Sequence, residues 1–164
     1  MNENYFLQLN YSPKHLLEMI YAEASCTENY YLSPVYIWRC DVSTELQTEL
    51  SKIINAPIFD CGFLKTKPSK QYPLHVDAFR IAAINMPLFE ETIGFNSFFF
   101  TGKKIETIKY TSNYFTLLNV MEPHGVLNSN TEKERVILSM GFKNNSYDDL
   151  VKKFKDGLLI NDIL

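Results

Sequence analysis

Apolar residues recur along this chain with two different periods. In the first third the spacing is helical. Leu16, Leu17, Ile20 and Ala24 form one stripe, with Ser12-Pro13 ahead of them as an N-cap and a first-turn proline. A second helix presents Leu46, Leu50, Ile53 and Ile54 on one face, with Thr44 and Gln47 at capping-box spacing. Short extended runs are expected at 5–8 and 35–38. From Ile58 onward the pattern becomes that of strands, at 58–64, 74–77, 80–88, 96–101, 105–110, 114–120 and 135–142. Turn signals separate most of them: Pro68-Ser69, Gly94, Gly102-Lys103 and Asn128-Ser129-Asn130. Ser146 then caps a closing helix through Phe154, with Gly157 at its C-terminal end.

Several short strands without intervening helices argue for an antiparallel barrel or jelly roll. The expected fold is mainly β with flanking α. A double-stranded β-helix of cupin-like type over 58–142 is buttressed by N-terminal helices and a C-terminal helix, all within one domain over 1–164.

Composition narrows the function classes. A chain of 164 residues, 46% apolar and 21% charged, is long enough to bury a core and ordinary for a globular domain. Twelve Phe and ten Tyr favour strands and large apolar pockets. The net charge of -3, with lysines and acids interspersed, gives no basic footprint for nucleic acid. No apolar run reaches the length of a membrane span, and the N-terminus has no secretory pattern. Cys26, Cys40 and Cys61 are odd in number and lack CxxC spacing, so they read as free thiols in a reducing compartment, the cytoplasm.

The chemistry concentrates in two short stretches, Leu74-His75-Val76-Asp77 and Pro123-His124-Gly125-Val126. Two of the chain's three histidines sit there; the third, His15, falls on the first helix and reads as structural. If 74–77 is extended, His75 and Asp77 project from one face, and His124, after the strand at 114–120, supplies a third ligand from a neighbouring strand. Two imidazoles and a carboxylate suit a non-haem Fe(II) site with open positions. Arg135 opens a strand and is a natural anchor for an acidic co-substrate. Its plainer reading is an exposed residue paired with Glu132 or Glu134. Arg80 is balanced between a surface salt bridge and the site, and Asn85, before Met86-Pro87, between a turn or edge role and a ligand role. Phe98-Phe99-Phe100 and Cys61 read as core.

His75-x-Asp77, then His124, then Arg135 eleven residues later, resembles the Fe(II)/2-oxoglutarate-dependent oxygenase superfamily. The text Leu74-His75-Val76-Asp77-Ala78-Phe79-Arg80, with Ala83 to Leu88 and Glu134 to Ser139, is similar to small members with a prolyl- or aspartyl/asparaginyl-hydroxylase-like core. The resemblance covers roughly Ile58 to Phe142. It implies His75, Asp77 and His124 as iron ligands and Arg135 as the partner of the distal carboxylate of 2-oxoglutarate. Arg80, Asn85, Tyr110 or Tyr114 would be further contacts to that co-substrate. It also implies O2 as oxidant and ascorbate as a supporting reductant. Asp77 favours hydroxylation, because halogenating relatives lack this carboxylate. The implied substrate is an amino acid, peptide or other small metabolite; the charge and hydropathy above give no sign of a nucleic acid or membrane partner. The competing reading is a cupin-type metal-binding or isomerase-like module without oxygen chemistry. Such modules more often use histidine-rich ligand sets, for which this chain has too few histidines.

Overall fold

The computed structural model describes residues 4–32, 37–89, 95–130 and 132–161. Among the described residues three α-helices, α1 (Leu17–Ala24), α2 (Thr44–Ile53) and α3 (Tyr147–Lys155), accompany eleven strands. The strands are β1 (Phe6–Gln8), β2 (Tyr31–Leu32), β3 (Trp38–Asp41), β4 (Asp60–Thr66), β5 (Lys70–His75), β6 (Ala82–Pro87), β7 (Phe95–Phe100), β8 (Ile105–Ile108), β9 (Thr116–Leu118), β10 (His124–Asn128) and β11 (Arg135–Phe142). They form a seven-stranded sheet, β1-β9-β6-β11-β4-β3-β2, and a four-stranded sheet, β5-β10-β7-β8. Every pairing is antiparallel. Two facing antiparallel sheets make the jelly roll that the strand pattern predicts.

β11 shows how the sequence builds it. All eight of its residues are buried, as a strand covered on both faces must be. Val136, Leu138, Met140 and Phe142 pack with Ile20 of α1, Leu46 and Leu50 of α2 and Leu150 of α3 in the main core. Arg135, Ile137, Ser139 and Gly141 take the opposite face by the period-2 rule, toward the space between the sheets. A second cluster, with Phe6, Ala83, Phe99, Ile108, Leu118 and Val120, joins the two sheets there.

Several boundaries differ from expectation. Ser12 caps nothing: the chain enters α1 through a 3-10 turn, Lys14–Leu16, without a side-chain cap. The cap of α2 is Ser43, one residue before the predicted Thr44, with its Oγ accepting the Leu46 N–H at 3.0 Å. The Glu23 carboxylate holds Ser43 in turn, accepting from its N–H at 2.8 Å and its hydroxyl at 2.5 Å. A complete capping box occurs at Ser146 and Asp149 instead. Of the run expected at 35–38, residues 35 and 36 lie outside the described residues, as does Gly94. The strand found in that region is β3. β5 ends at His75, leaving Asp77 beyond it, and starts at Lys70, ahead of the strand expected at 74–77. β10 has no counterpart in the predicted elements. Gly125 is there because a Cβ would lie 2.7 Å from the Phe98 ring. No helix among the described residues is long and apolar enough to cross a membrane.

The cap assignment has a simple test. Ser43→Ala should cost about 1 kcal/mol in urea unfolding and Thr44→Ala only a few tenths; equal losses would contradict it.

Candidate metal centre

His75 and His124 are direct partners across the antiparallel β5–β10 pair, which sets their ring centroids 4.3 Å apart. Cross-strand pairing, rather than alternation along one strand, therefore brings the imidazoles together. Asp77 lies two residues past the end of β5, where its N–H donates to the Val120 carbonyl at 3.1 Å. Its Oδ1 is 3.3 Å from His75 Nε2 and 3.6 Å from His124 Nε2. One ligand atom from each of the three residues falls within 4.8 Å of the others.

The surroundings orient these groups. His75 Nδ1 lies 2.8 Å from the Pro73 carbonyl and His124 Nδ1 2.9 Å from the Glu122 carbonyl. Carbonyls only accept, so each Nδ1 carries the proton and each Nε2 is left to offer a lone pair. Arg80 occupies the other carboxylate oxygen. Its Nε and Nη2 lie 2.7 and 2.6 Å from Asp77 Oδ2, and its Nη1 donates to Ser139 at 2.9 Å. The Arg80 stem passes directly over Gly141, where a Cβ would sit 2.3 Å from Arg80 Cδ. Burial raises the Asp77 pKa, but His75, Arg80 and His124 together outweigh it and hold the carboxyl below its usual range. For His124, burial dominates and lowers the pKa, against the Glu122 carbonyl, which favours the charged ring. An ionised carboxylate and a neutral imidazole are the forms that bind a metal.

The triad opens onto a cavity of about 620 Å³ between the sheets, and Arg135 lines the same cavity. Arg135 is 2% exposed, with Nη2 donating to Ser97 Oγ at 2.7 Å and Cζ 5.7 Å from the Tyr110 ring centroid. Neither acid expected beside it fills that role among the described residues: Glu134 pairs with Lys65 at 3.2 Å, and no ion pair joins Arg135 to Glu132. Burial lowers its pKa, against the favourable influence of Tyr110. Arg135 Nη1, Asn85 Oδ1 and Tyr110 Oη are all buried without a hydrogen-bond partner. A buried, unpaired guanidinium is costly, and an anion at this end of the cavity is its natural complement.

Other sequence candidates resolve as follows. Asn85 lies in the middle of β6, paired opposite Ser139, and lines the cavity, so it is neither a turn nor an edge residue. Arg80 serves Asp77. Tyr114 is about a third exposed and does not line the cavity. His15 is exposed on the 3-10 turn and stands outside the cluster. Ser97, which the sequence reading missed, is a buried hydroxyl in an aromatic strand. Polar placement within such a run was its only signal. Cys26, Cys40 and Cys61 are free thiols.

No family model matches the chain, and no curated protein matches it in sequence. Solved structures do match. An oxidoreductase of the 2OG-Fe(II) oxygenase family from Burkholderia pseudomallei aligns over 86% of this chain and 85% of its own, at 12% identity and TM-score 0.67. A Pseudomonas putida prolyl-4-hydroxylase aligns over 85% and 91%, at 16% identity and TM-score 0.61. The viral collagen prolyl hydroxylase of Paramecium Bursaria Chlorella virus-1, in its 2OG complex, aligns over 83% and 93%, at 16% identity and TM-score 0.55. At such identities the likeness is one of fold: this chain has the double-stranded β-helix those proteins share.

If Arg80 fixes the aspartate, Arg80→Gln should weaken Mn(II) binding by roughly 10- to 100-fold, measured by calorimetry. Gly141→Ala, which displaces Arg80 without touching a ligand, should act in the same direction. Unchanged affinity in both would contradict the assignment.

Proposed function

We propose that this protein is an Fe(II)/2-oxoglutarate-dependent oxygenase that hydroxylates an amino acid, peptide or other small metabolite. The observation that carries this reading is the unpaired, buried Arg135 in the same cavity as His75, Asp77 and His124. A metal triad alone fits many reactions. A metal triad facing an unmatched guanidinium calls for a small acid bound between them.

The donor set fits the metal. Two imidazole nitrogens and one carboxylate oxygen on one side suit Fe(II) and leave its other positions open. Fe(II) bound there supplies the activation of O2 that couples oxidative loss of carbon dioxide from 2-oxoglutarate to substrate oxidation. Atoms balance as R–H, 2-oxoglutarate and O2 giving R–OH, succinate and carbon dioxide. The residues contribute positioning. Arg80 holds Asp77 with one oxygen turned to the imidazoles. The Pro73 and Glu122 carbonyls fix the imidazole tautomers. Arg135, steadied by Ser97, receives the distal carboxylate of 2-oxoglutarate, and Asn85 and Tyr110 offer the remaining polar contacts. Phe99, Leu118, Val120 and Ile137 line the cavity with hydrocarbon and limit water. Ascorbate would serve as a supporting reductant. The three free thiols support a reducing, cytoplasmic setting.

The test is succinate formation from 2-oxoglutarate with Fe(II), ascorbate and a panel of amino acids, peptides and nucleosides. Arg135→Gln should raise the KM for 2-oxoglutarate by about 10- to 100-fold, and Asp77→Ala should abolish turnover. Turnover that persists in Asp77→Ala, or a KM untouched by Arg135→Gln, would contradict the proposal.

A further inference from the structure

Beside the 620 Å³ cavity lies a smaller cleft of about 180 Å³, and Ile37 and Tyr72 line both. It forms at the turn linking β4 of one sheet to β5 of the other, where Lys65, Thr66 and Lys67 meet Lys70 and Tyr72, with Trp38 of β3 alongside. Tyr72 meets His75 edge-on, with ring centroids 4.4 Å apart. One tyrosine ring thus separates this cleft from the metal triad.

Charge is distributed unequally between the two spaces. In the large cavity the cations are engaged: Arg39 with Asp60 at 2.6 Å and Asp41 at 2.6 Å, and Arg80 with Asp77. Arg135 is taken by the co-substrate on the reading above. No acidic residue lines the small cleft. Of its three lysines, Lys65 pairs with Glu134. Lys67 and Lys70 are exposed and form no ion pair among the described residues. Lys67 Nζ instead lies 4.6 Å from the centroid of the Trp38 ring, a weak electrostatic contact at an exposed site. Thr66, 6% exposed, has a buried Oγ without a hydrogen-bond partner. Two ammonium groups without an ion-pair partner, in a cleft free of acids, form a site for an oxyanion, on a chain whose net charge is -3.

We propose that this cleft binds an anionic group, phosphate or carboxylate, at one end of the substrate, whose neutral part reaches the metal triad past Tyr72. That the occupant is the substrate rests on the oxygenase reading; that the cleft binds an oxyanion does not.

Trp38 is the chain's single tryptophan, so emission excited at the red edge, where the ten tyrosines do not absorb, reports on this cleft. The purified full chain, without metal or 2-oxoglutarate, is titrated with inorganic phosphate and separately with acetate, against chloride at matched ionic strength. A saturable change in Trp38 emission is expected with an oxyanion and not with chloride, and the tighter oxyanion identifies the group the substrate carries. Lys70→Ala leaves the Lys67–Trp38 contact in place and should weaken binding by about fivefold. The double variant Lys67→Ala/Lys70→Ala should lose the response while keeping its far-UV circular dichroism. No saturable response to either oxyanion, or an unaltered one in the double variant, would overturn the proposal. Because the titration uses neither metal nor 2-oxoglutarate, failure here with succinate formation intact removes the anionic substrate and leaves the oxygenase reading standing.

Discussion

A half-buried carboxylate shared between a guanidinium and two imidazoles is the interaction around which this molecule is arranged. Asp77 leaves water only because Arg80 takes one of its oxygens and the histidines face the other. That geometry reaches into the fold. Arg80 needs the Ser139 hydroxyl and the bare backbone of Gly141, both on the cavity face of β11. The histidines need the β5–β10 register that sets them opposite one another. β11 begins that same face with Arg135, so one strand positions both the support of the carboxylate and the buried guanidinium that lines the same cavity.

The two-sided burial of β11 explains why the scaffold is stiff there. Val136, Leu138, Met140 and Phe142 lock one face into the helices, leaving the other to display polar groups at a fixed spacing. The helices contribute no side chain to the large cavity; they hold the sheet that does. The charged residues of the cavity, apart from Arg135, neutralise one another, so the rest of its wall is largely hydrocarbon and aromatic.

Much of this was legible in the sequence because the chemistry is carried by rare residues. Three histidines are few enough that two of them near a carboxylate stand out, and the alternation of β11 reads directly as a strand. What was not legible depended on contacts distant in sequence. The convergence of His75 and His124 comes from the β5–β10 pairing, whose second strand the apolar pattern did not mark, and Gly125 is explained only by the Phe98 ring packed against it. Arg80 stayed balanced between surface and site because nothing local shows that its stem crosses Gly141, sixty-one positions on. Ser43 rather than Thr44 caps α2 because Glu23, from another helix, holds it there. Spacing shows which residues carry chemistry; only packing shows which neighbours hold them.

The central claim is that the triad and Arg135 together hold one small acid against a metal. Its most direct test is an anaerobic titration of the Fe(II)-loaded protein with 2-oxoglutarate, followed by visible absorption. The predicted result is a weak band that saturates at one equivalent per chain and that Arg135→Gln shifts to much higher concentration. An Fe(II)-loaded protein that develops no band, or whose band is indifferent to Arg135, would contradict the account.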